Sequence, residues 1–196
     1  MNIKKLIVLL TIISCLIGCA AMIGPIMSNV EKPKYKIVSR DGSIEIRDYK
    51  PLIIAEVRSM GPRKSSISTG FRTLADYIFG NNASGQEIAM TAPVQQKGGN
   101  TEWRISFVMP SKFSLQTLPK PINQNINLKR IPGKRYAVIR FSGNASDENI
   151  QSNEAELMKY ISHQQLSATT PVIYAFYNPP WTLPFMKRNE VLAELR

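Results

Sequence analysis

The residue types that most often carry catalysis or bind metals are scarce in this chain. Its 196 residues include one histidine, His163, and two cysteines, Cys15 and Cys19. Nucleophilic catalysis needs a Ser, Cys or Thr beside an oriented base, and a zinc site needs several His or Cys ligands. Glu154 and Glu156 lie two residues apart on a predicted helix, so their carboxylates do not face each other. The sequence therefore predicts no metal site and no catalytic residues, and we expect a protein that is not an enzyme.

The N-terminal segment carries the features of an export signal. Lys4 and Lys5 precede an uncharged stretch that runs from residue 6 to residue 18. A basic start followed by a short apolar region is typical of a secretory signal peptide. An uncleaved membrane-spanning helix over residues 6–27 is the alternative, because about 20 apolar residues span a bilayer. Glycine and proline residues interrupt that stretch and favour the signal peptide. Both interpretations place the folded part outside the cytoplasm.

The end of this segment resembles a bacterial lipobox. Small residues precede Cys19 in the stretch from Leu16 to Cys19, and in a lipobox this cysteine becomes the lipid attachment point. The resemblance implies a signal peptide over residues 1–18, lipidation at Cys19, and an anchor and tether over residues 19–34. Ala20 is not the aspartate that is associated with retention in the inner membrane. We therefore expect a location in the cell envelope, with the chain lipid-anchored at the periplasmic face of the outer membrane.

The positive charge of the chain limits the classes of binding partner that we expect. A net charge of +11 ordinarily suggests nucleic acid or an anionic membrane surface. Removing the predicted signal peptide leaves 23 basic and 14 acidic residues, a net charge of +9. Because an exported chain has no access to DNA, we expect no nucleic-acid partner. The excess of cations favours contact with anionic lipid or with ligands that carry carboxylates.

Hydrophobic periodicity predicts the same order of elements twice within residues 35–196. Apolar residues recur at helical spacing over Ile67–Ile78 and again, about 83 residues later, over Ile150–Ile161. A predicted strand precedes each helix. A Thr-x-Pro-Val tetrad, Thr91–Val94 or Thr169–Val172, follows each helix and leads into another strand. We infer an internal duplication within a single α+β domain.

Local signals place the boundaries of these elements. Ser65 and Ser66 are the predicted caps of the first helix, and Ser146 and Asp147 those of the second. The stretch Pro110–Pro132 contains four prolines and is predicted to be an irregular connection. The predicted strands are Tyr35–Ser39, Ser43–Tyr49, Leu52–Arg58, Trp103–Met109, Arg135–Phe141 and Val172–Tyr177, and residues 187–190 are predicted to fix the entry to a last strand.

Two segments of the chain resemble the signature segments of the SOUL haem-binding family. They are Glu87–Val94 and Tyr177–Val191, and the opening stretch Tyr35–Tyr49 fits the start of that domain. The resemblance covers residues 35–196. It implies a distorted antiparallel β-barrel that is built from two pseudo-symmetric repeats and flanked by two α-helices. It also implies reversible binding of haem or a related tetrapyrrole, with the macrocycle in an apolar cleft.

The resemblance directs attention to the first helix as a site for the ligand. A porphyrin needs a broad apolar slot, and cations at its edge for two propionates. The candidate contacts are the apolar residues Phe71, Leu74, Ile78 and Met90 and the cations Arg63, Lys64 and Arg72. Any packed helix shows such an apolar stripe, and loop cations are commonly solvated, so purely structural roles stay open for these residues.

The histidine content bears on how iron would be held. His163 lies near the end of the second predicted helix and away from its apolar stripe, where a surface position that complements the helix dipole is expected. Tyrosine or methionine are the alternative axial ligands, and the sequence does not choose among them. The lack of a matched histidine motivates a second hypothesis, a structural or protein-interaction module of the cell envelope that retains the fold without ligand.

Overall fold

A computed structural model describes residues 30–99 and 101–196 of the chain. The predicted signal peptide and the lipidated Cys19 lie outside these residues, as does all but the end of the predicted tether. No helix within the described part is long and apolar enough to cross a membrane. The strands are β1 (Tyr35–Asp41), β2 (Ile44–Tyr49), β3 (Leu52–Met60), β4 (Val94–Gly99), β5 (Glu102–Val108), β6 (Asn127–Ile131), β7 (Lys134–Phe141), β8 (Ile173–Phe176) and β9 (Asn189–Glu194), and the helices are α1 (Arg63–Ile78) and α2 (Asp147–His163).

All of these strands join one antiparallel sheet that curls into a half-barrel. Their order across the sheet is β1-β2-β7-β9-β8-β4-β5-β3-β6, and every pair of neighbours is antiparallel. Both helices pack on the outer face of the curl. The predicted α+β fold, a barrel-like antiparallel sheet flanked by two helices, is confirmed.

The sheet consists of two similar halves that exchange one strand each. The order β3-α1-β4-β5 recurs as β7-α2-β8-β9. At the centre β4 pairs with β8, with Gln96 opposite Tyr174. β2 precedes β3 in the chain but pairs with β7, and β6 precedes β7 but pairs with β3. Neither half completes its sheet alone, so the duplication folds as one domain. We call the part with β4, β5, β3 and β6 the α1 side, and the part with β8, β9, β7, β2 and β1 the α2 side.

Two of the strands differ from the sequence-based expectation. β4 has the sequence Val-Gln-Gln-Lys-Gly-Gly, and glycine has low strand propensity. It is nevertheless a strand because it pairs with β5 on one side and with β8 on the other. The prediction of an irregular connection is wrong over Asn127–Ile131, which forms β6 by pairing with β3. Tertiary pairing decides both cases.

The predicted N-terminal cap is wrong for α1 and correct for α2. α1 begins at Arg63, with Pro62 in the capping position and no side-chain cap. The hydroxyl of Ser65 donates a hydrogen bond to the carbonyl oxygen of Pro62 at 2.9 Å, so this serine does not cap the helix. At α2 the prediction is confirmed, because the Ser146 hydroxyl accepts from the backbone N–H of Asn149 at 3.2 Å.

Each helix presses an apolar stripe against its own side of the sheet. On α1, Leu74 and Ile78 are buried against β3 and β5. Gly70 permits this approach, since a Cβ at that position would lie 2.7 Å from side-chain atoms of Ile105. On α2, Leu157 and Ile161 are buried against β7 and β9. These two outer cores hold the curl of the sheet.

Candidate functional site

The structure separates the seven predicted ligand contacts into buried and exposed groups. Leu74 and Ile78 are 0% and 1% exposed and face the sheet, so they belong to the core under α1. Phe71 is 36% exposed and meets the Phe107 ring edge-on, with 5.3 Å between ring centroids. Met90 is half-buried against the same core. Of the predicted apolar wall, only Phe71 and Met90 have surface that a ligand can reach.

The predicted cations have two different environments. The side chain of Arg63 is only 10% exposed. Its guanidinium donates hydrogen bonds to the Asp147 carboxylate and to the carbonyl oxygen of Ala145 at 2.7 Å. Arg63 therefore links the start of α1 to the start of α2. Lys64 and Arg72 are exposed, so of the three predicted cations only these two are accessible from solvent.

The lone histidine and its surroundings offer no metal centre in the described part of the chain. His163 is the last residue of α2 and is exposed, in the position that complements the helix dipole. Within residues 30–99 and 101–196 no group of three His, Cys, Asp or Glu side chains is placed to hold a metal ion.

The connection between β8 and β9 is a proline-rich loop with an unusual surface. Trp181, Leu183, Phe185 and Met186 are all more than half exposed. The loop is fixed at its base, because the N–H of Gly143 donates to the carbonyl oxygen of Pro184 at 2.8 Å. This agrees with a turn-forming role for the prolines and leaves the apolar side chains facing outward.

The inner face of the sheet on the α2 side holds a buried ion cluster, which we define as Glu45, Arg47, Tyr177, Arg188 and Glu190. The side chains of Arg47 and Glu190 are 2% and 0% exposed, and their guanidinium and carboxylate are joined by hydrogen bonds of 3.1 Å. Arg188 Nη2 and the Tyr177 hydroxyl also donate to Glu190, at 2.8 and 2.9 Å. Buried charges with such complete pairing fix side-chain positions, so this region is a rigid part of the fold.

The pKa shifts in the cluster follow from burial and from neighbouring charge. Burial and then the Glu190 carboxylate raise the pKa of Tyr177 well above its usual value, so its hydroxyl stays a donor. Burial also works to raise the pKa of Glu45, but the hydrogen bond and charge of Arg47, followed by those of Arg40, outweigh it and lower that pKa. Glu45 therefore stays ionised and paired at neutral pH.

Sequence reasoning missed this cluster, although one signal for it was present. The stretch Ile-Glu-Ile-Arg-Asp-Tyr of β2 alternates, with Ile44 and Ile46 on the outer core under α2. The alternation sends Glu45 and Arg47 to the opposite face. That this second face is buried depends on the curl of the sheet, which the sequence of one strand does not reveal.

The described surface has an apolar groove of about 400 Å³ beside the last residues of the tether. Three segments that are far apart in the chain meet there: the tether end, the β2–β3 connection and the chain after β5. We call it the tether groove. Its lining residues are Glu31, Lys32, Pro33, Lys34, Lys50, Pro51, Leu52, Ile53, Thr91, Val108, Met109, Pro110, Ser111, Phe113, Ser114, Leu115, Gln116 and Arg130.

A smaller cavity of about 160 Å³ lies inside the curl, mainly on the α1 side. Glu56 and Lys129 face it and are joined by a hydrogen bond of 2.7 Å, and Lys97 and Arg104 add further positive charge. Pockets for drug-sized ligands typically measure about 300–1,000 Å³. The tether groove falls within that range, and the inner cavity is too small.

Comparison with known proteins identifies the family. The model of the family described as "SOUL heme-binding protein" matches residues 30–194. The chain belongs to the SOUL family. Its SOUL domain is 31% identical over 176 aligned residues to the human protein named "Heme-binding protein 2", with 83% of this chain and 84% of that protein covered. Both the family's description and the name of the human protein refer to haem binding.

Solved structures share the fold of the SOUL domain at low identity. The C-terminal domain of EcmrR matches with a TM-score of 0.63 and 12% identity, covering 83% of this chain and 98% of that one. A hydrolase from Listeria innocua matches with a TM-score of 0.57 and 10% identity, covering 81% and 94%. At such identities the likeness concerns the fold alone.

Proposed function

We propose that this protein binds haem or a related tetrapyrrole reversibly at the cell envelope, as a carrier and without catalysis. The observation that carries the proposal is the SOUL family match, which spans nearly every described residue. A propionate-bearing macrocycle combines an apolar ring with two carboxylates. Burial of the ring surface supplies most of the affinity, and charge-assisted hydrogen bonds to the carboxylates supply orientation.

The described surface offers such a ligand two places. One is the outer side of α1, where Phe71, Lys64 and Arg72 are accessible. The other is the tether groove, which combines an apolar lining with several cations. Neither place requires the exposed His163 as an iron ligand.

Titration with hemin tests the proposal. The full-length chain in lipid nanodiscs is mixed with hemin, and the Soret absorbance is followed against empty nanodiscs. We expect a shifted Soret band that saturates at one equivalent in the micromolar range. A spectrum indistinguishable from the empty nanodiscs at every hemin concentration would contradict tetrapyrrole binding, and it would favour the envelope interaction module instead.

We further propose that Cys19 is lipidated and that the domain faces the periplasm from the outer membrane. Support comes from the lipobox-like stretch before Cys19 and from the basic, apolar segment that precedes it. The variant Cys19→Ser tests this proposal. We expect the wild-type chain to have lost residues 1–18 and to carry the mass of the acyl groups at residue 19, whereas the variant keeps the precursor mass and carries no acyl groups. A wild-type chain that keeps residues 1–18 and carries no acyl groups would support a spanning helix.

A further inference from the structure

The tether groove has the composition that an anionic amphiphile needs. Its apolar lining includes Leu52, Ile53, Met109, Phe113 and Leu115. Leu115 is 39% exposed, and Leu52, Ile53 and Phe113 are half-buried, so these side chains have surface that a ligand can reach. Met109 is buried in the core under α1. Apolar surface at an open groove is exposed to water, which is unfavourable. An apolar ring that covers this surface removes it from water and so lowers the free energy of the complex.

The rim of the groove carries a concentration of unpaired cations. Lys32, Lys34, Lys50 and Arg130 line it, and none of them forms a salt bridge within residues 30–99 and 101–196. Among the described residues that line the groove, Glu31 is the only acid, and its Oε1 accepts a hydrogen bond from the N–H of Ser111 at 2.9 Å. Four like charges around one opening favour an anionic occupant.

The wall that the tether provides is fixed to the sheet. The carbonyl oxygen of Glu31 accepts from the N–H of Ala92 at 3.0 Å, and Glu31 forms a bridge with Thr91. The N–H of Lys50 donates to the carbonyl oxygen of Lys34 at 3.1 Å. These bonds attach the tether wall to the chain before β4 and to the β2–β3 connection. A wall that is already in place avoids part of the entropic cost of binding.

Other sites fit a dicarboxylate less well. The inner cavity contains Glu56 and Glu194, and both already neutralise a lysine. A second groove under the proline-rich loop has the same volume, about 400 Å³, and is lined by Arg40, Arg140 and Lys187. Its lining is more polar than that of the tether groove, and Arg40 pairs with Glu45. On α1 the cation nearest the helix start, Arg63, is committed to Asp147.

We propose that the tether groove is the tetrapyrrole site, with the apolar ring against Leu52, Phe113 and Leu115 and the propionates at Lys50 and Arg130. This inference rests on the proposed function and names its site. It differs from the α1 surface that sequence patterns suggested.

A pair of matched variants tests the site. Lys50→Glu/Arg130→Glu reverses two cations at the groove, and Lys64→Glu/Arg72→Glu makes the same charge change on α1. Hemin titrations of both, in nanodiscs, are compared with the wild-type chain. We expect the groove variant to bind hemin at least about tenfold more weakly, because each propionate loses a charge-assisted hydrogen bond, and the α1 variant to stay within about twofold of wild type.

Hemin dimethyl ester separates the carboxylate contacts from a general charge effect. The ester lacks propionate charges, so its affinity should be the same for the wild-type chain and the groove variant. A third variant, Leu115→Asp, removes apolar wall at an exposed position and should weaken both ligands. Circular dichroism melting of each variant verifies that it is folded.

The outcomes distinguish the two proposals. If wild type binds hemin and only the α1 variant weakens binding, the groove assignment is overturned while tetrapyrrole binding stands. Equal weakening by both charge reversals would mean that hemin binding depends on the net charge of the protein and not on the position of the cations. That result would also overturn the assignment. If wild type binds no hemin, the proposed function itself fails.

Discussion

The α1 and α2 sides of the sheet have similar outer faces and different inner faces. Gln96 of β4 and Tyr174 of β8 are equivalent by the tetrad alignment and pair with Ile105 and Val191, respectively. Arg104 and Glu190, one residue earlier, therefore occupy equivalent inner positions. On the α2 side, Glu190 is sealed within the buried ion cluster. On the α1 side, Arg104 is 43% exposed and lines a cavity.

The segments that connect the strands also differ between the two sides. On the α2 side, β8 and β9 are joined by the proline-rich loop, and on the α1 side β4 and β5 form a tight hairpin. After β5 the chain makes a long excursion over residues 109–126 and covers the end of the α1 side, where it forms a wall of the tether groove. The comparison teaches that a duplicated scaffold can differ in its two inner faces: the α2 face is filled by paired buried charges, whereas the α1 face borders a cavity.

The largest expected effect comes from removing the carboxylate of Glu190, at the centre of the buried ion cluster. Glu190→Ala leaves Arg47 and Arg188 without their shared partner in a buried site. We expect a loss of about 3–5 kcal/mol in the free energy of unfolding, because an uncompensated buried charge remains. Urea denaturation of the purified protein measures it.

The α1 side supplies the control for that measurement. Glu56→Ala breaks the pair with Lys129, whose side chain is 34% exposed and can be solvated. We expect a loss of about 1 kcal/mol or less. Equal losses for the two variants would show that the inner faces do not differ in the way proposed.

A smaller effect is expected where α1 meets the sheet. Gly70→Ala places a Cβ 2.7 Å from Ile105 atoms and must push the helix or the strand aside. Overpacking of this kind costs about 1–3 kcal/mol, and thermal melting should show it. Ser68→Ala, at an exposed position of the same helix, is the control and should leave the melting temperature nearly unchanged. A Gly70→Ala protein that is as stable as wild type would mean that the α1 contact is looser than the structure has it.

The smallest effect concerns the pH dependence of the ion cluster. The pKa of Glu45 lies below its usual value of 4.5 in the folded protein, so its ionised form favours folding. This stabilisation is fully present above the unfolded-state pKa and is lost as the pH falls through the folded-state pKa. Between about pH 5 and pH 3, the free energy of unfolding of wild type should fall more steeply than that of Glu45→Gln.

Denaturation curves at several pH values provide this comparison. Parallel profiles for wild type and Glu45→Gln would show that Glu45 does not contribute to the pH dependence of the free energy of unfolding.

Local patterns were sufficient for most of the fold and insufficient for the site. The helical spacing of Ile67–Ile78 and Ile150–Ile161 predicted the two helices, because a helix depends on a short-range period. The recurrence of that spacing and of the tetrads predicted the duplication. β4 and β6 escaped prediction because their pairing partners, rather than their own residues, make them strands. The predicted site residues Leu74 and Ile78 followed the right periodicity, but periodicity does not tell a ligand-facing stripe from a core-facing one.

The sequence by itself determined the family, the repeated order of elements and the excess of positive charge, since these are properties of residue types and their spacing. Only the tertiary structure decided which cations pair with carboxylates and which line a groove. It paired Arg63 with Asp147, sealed Arg47 against Glu190, and left Lys50 and Arg130 together at the rim of an apolar groove. The physical reason is that a cation's role depends on its distance to carboxylates and to water, and the curl of the sheet sets both.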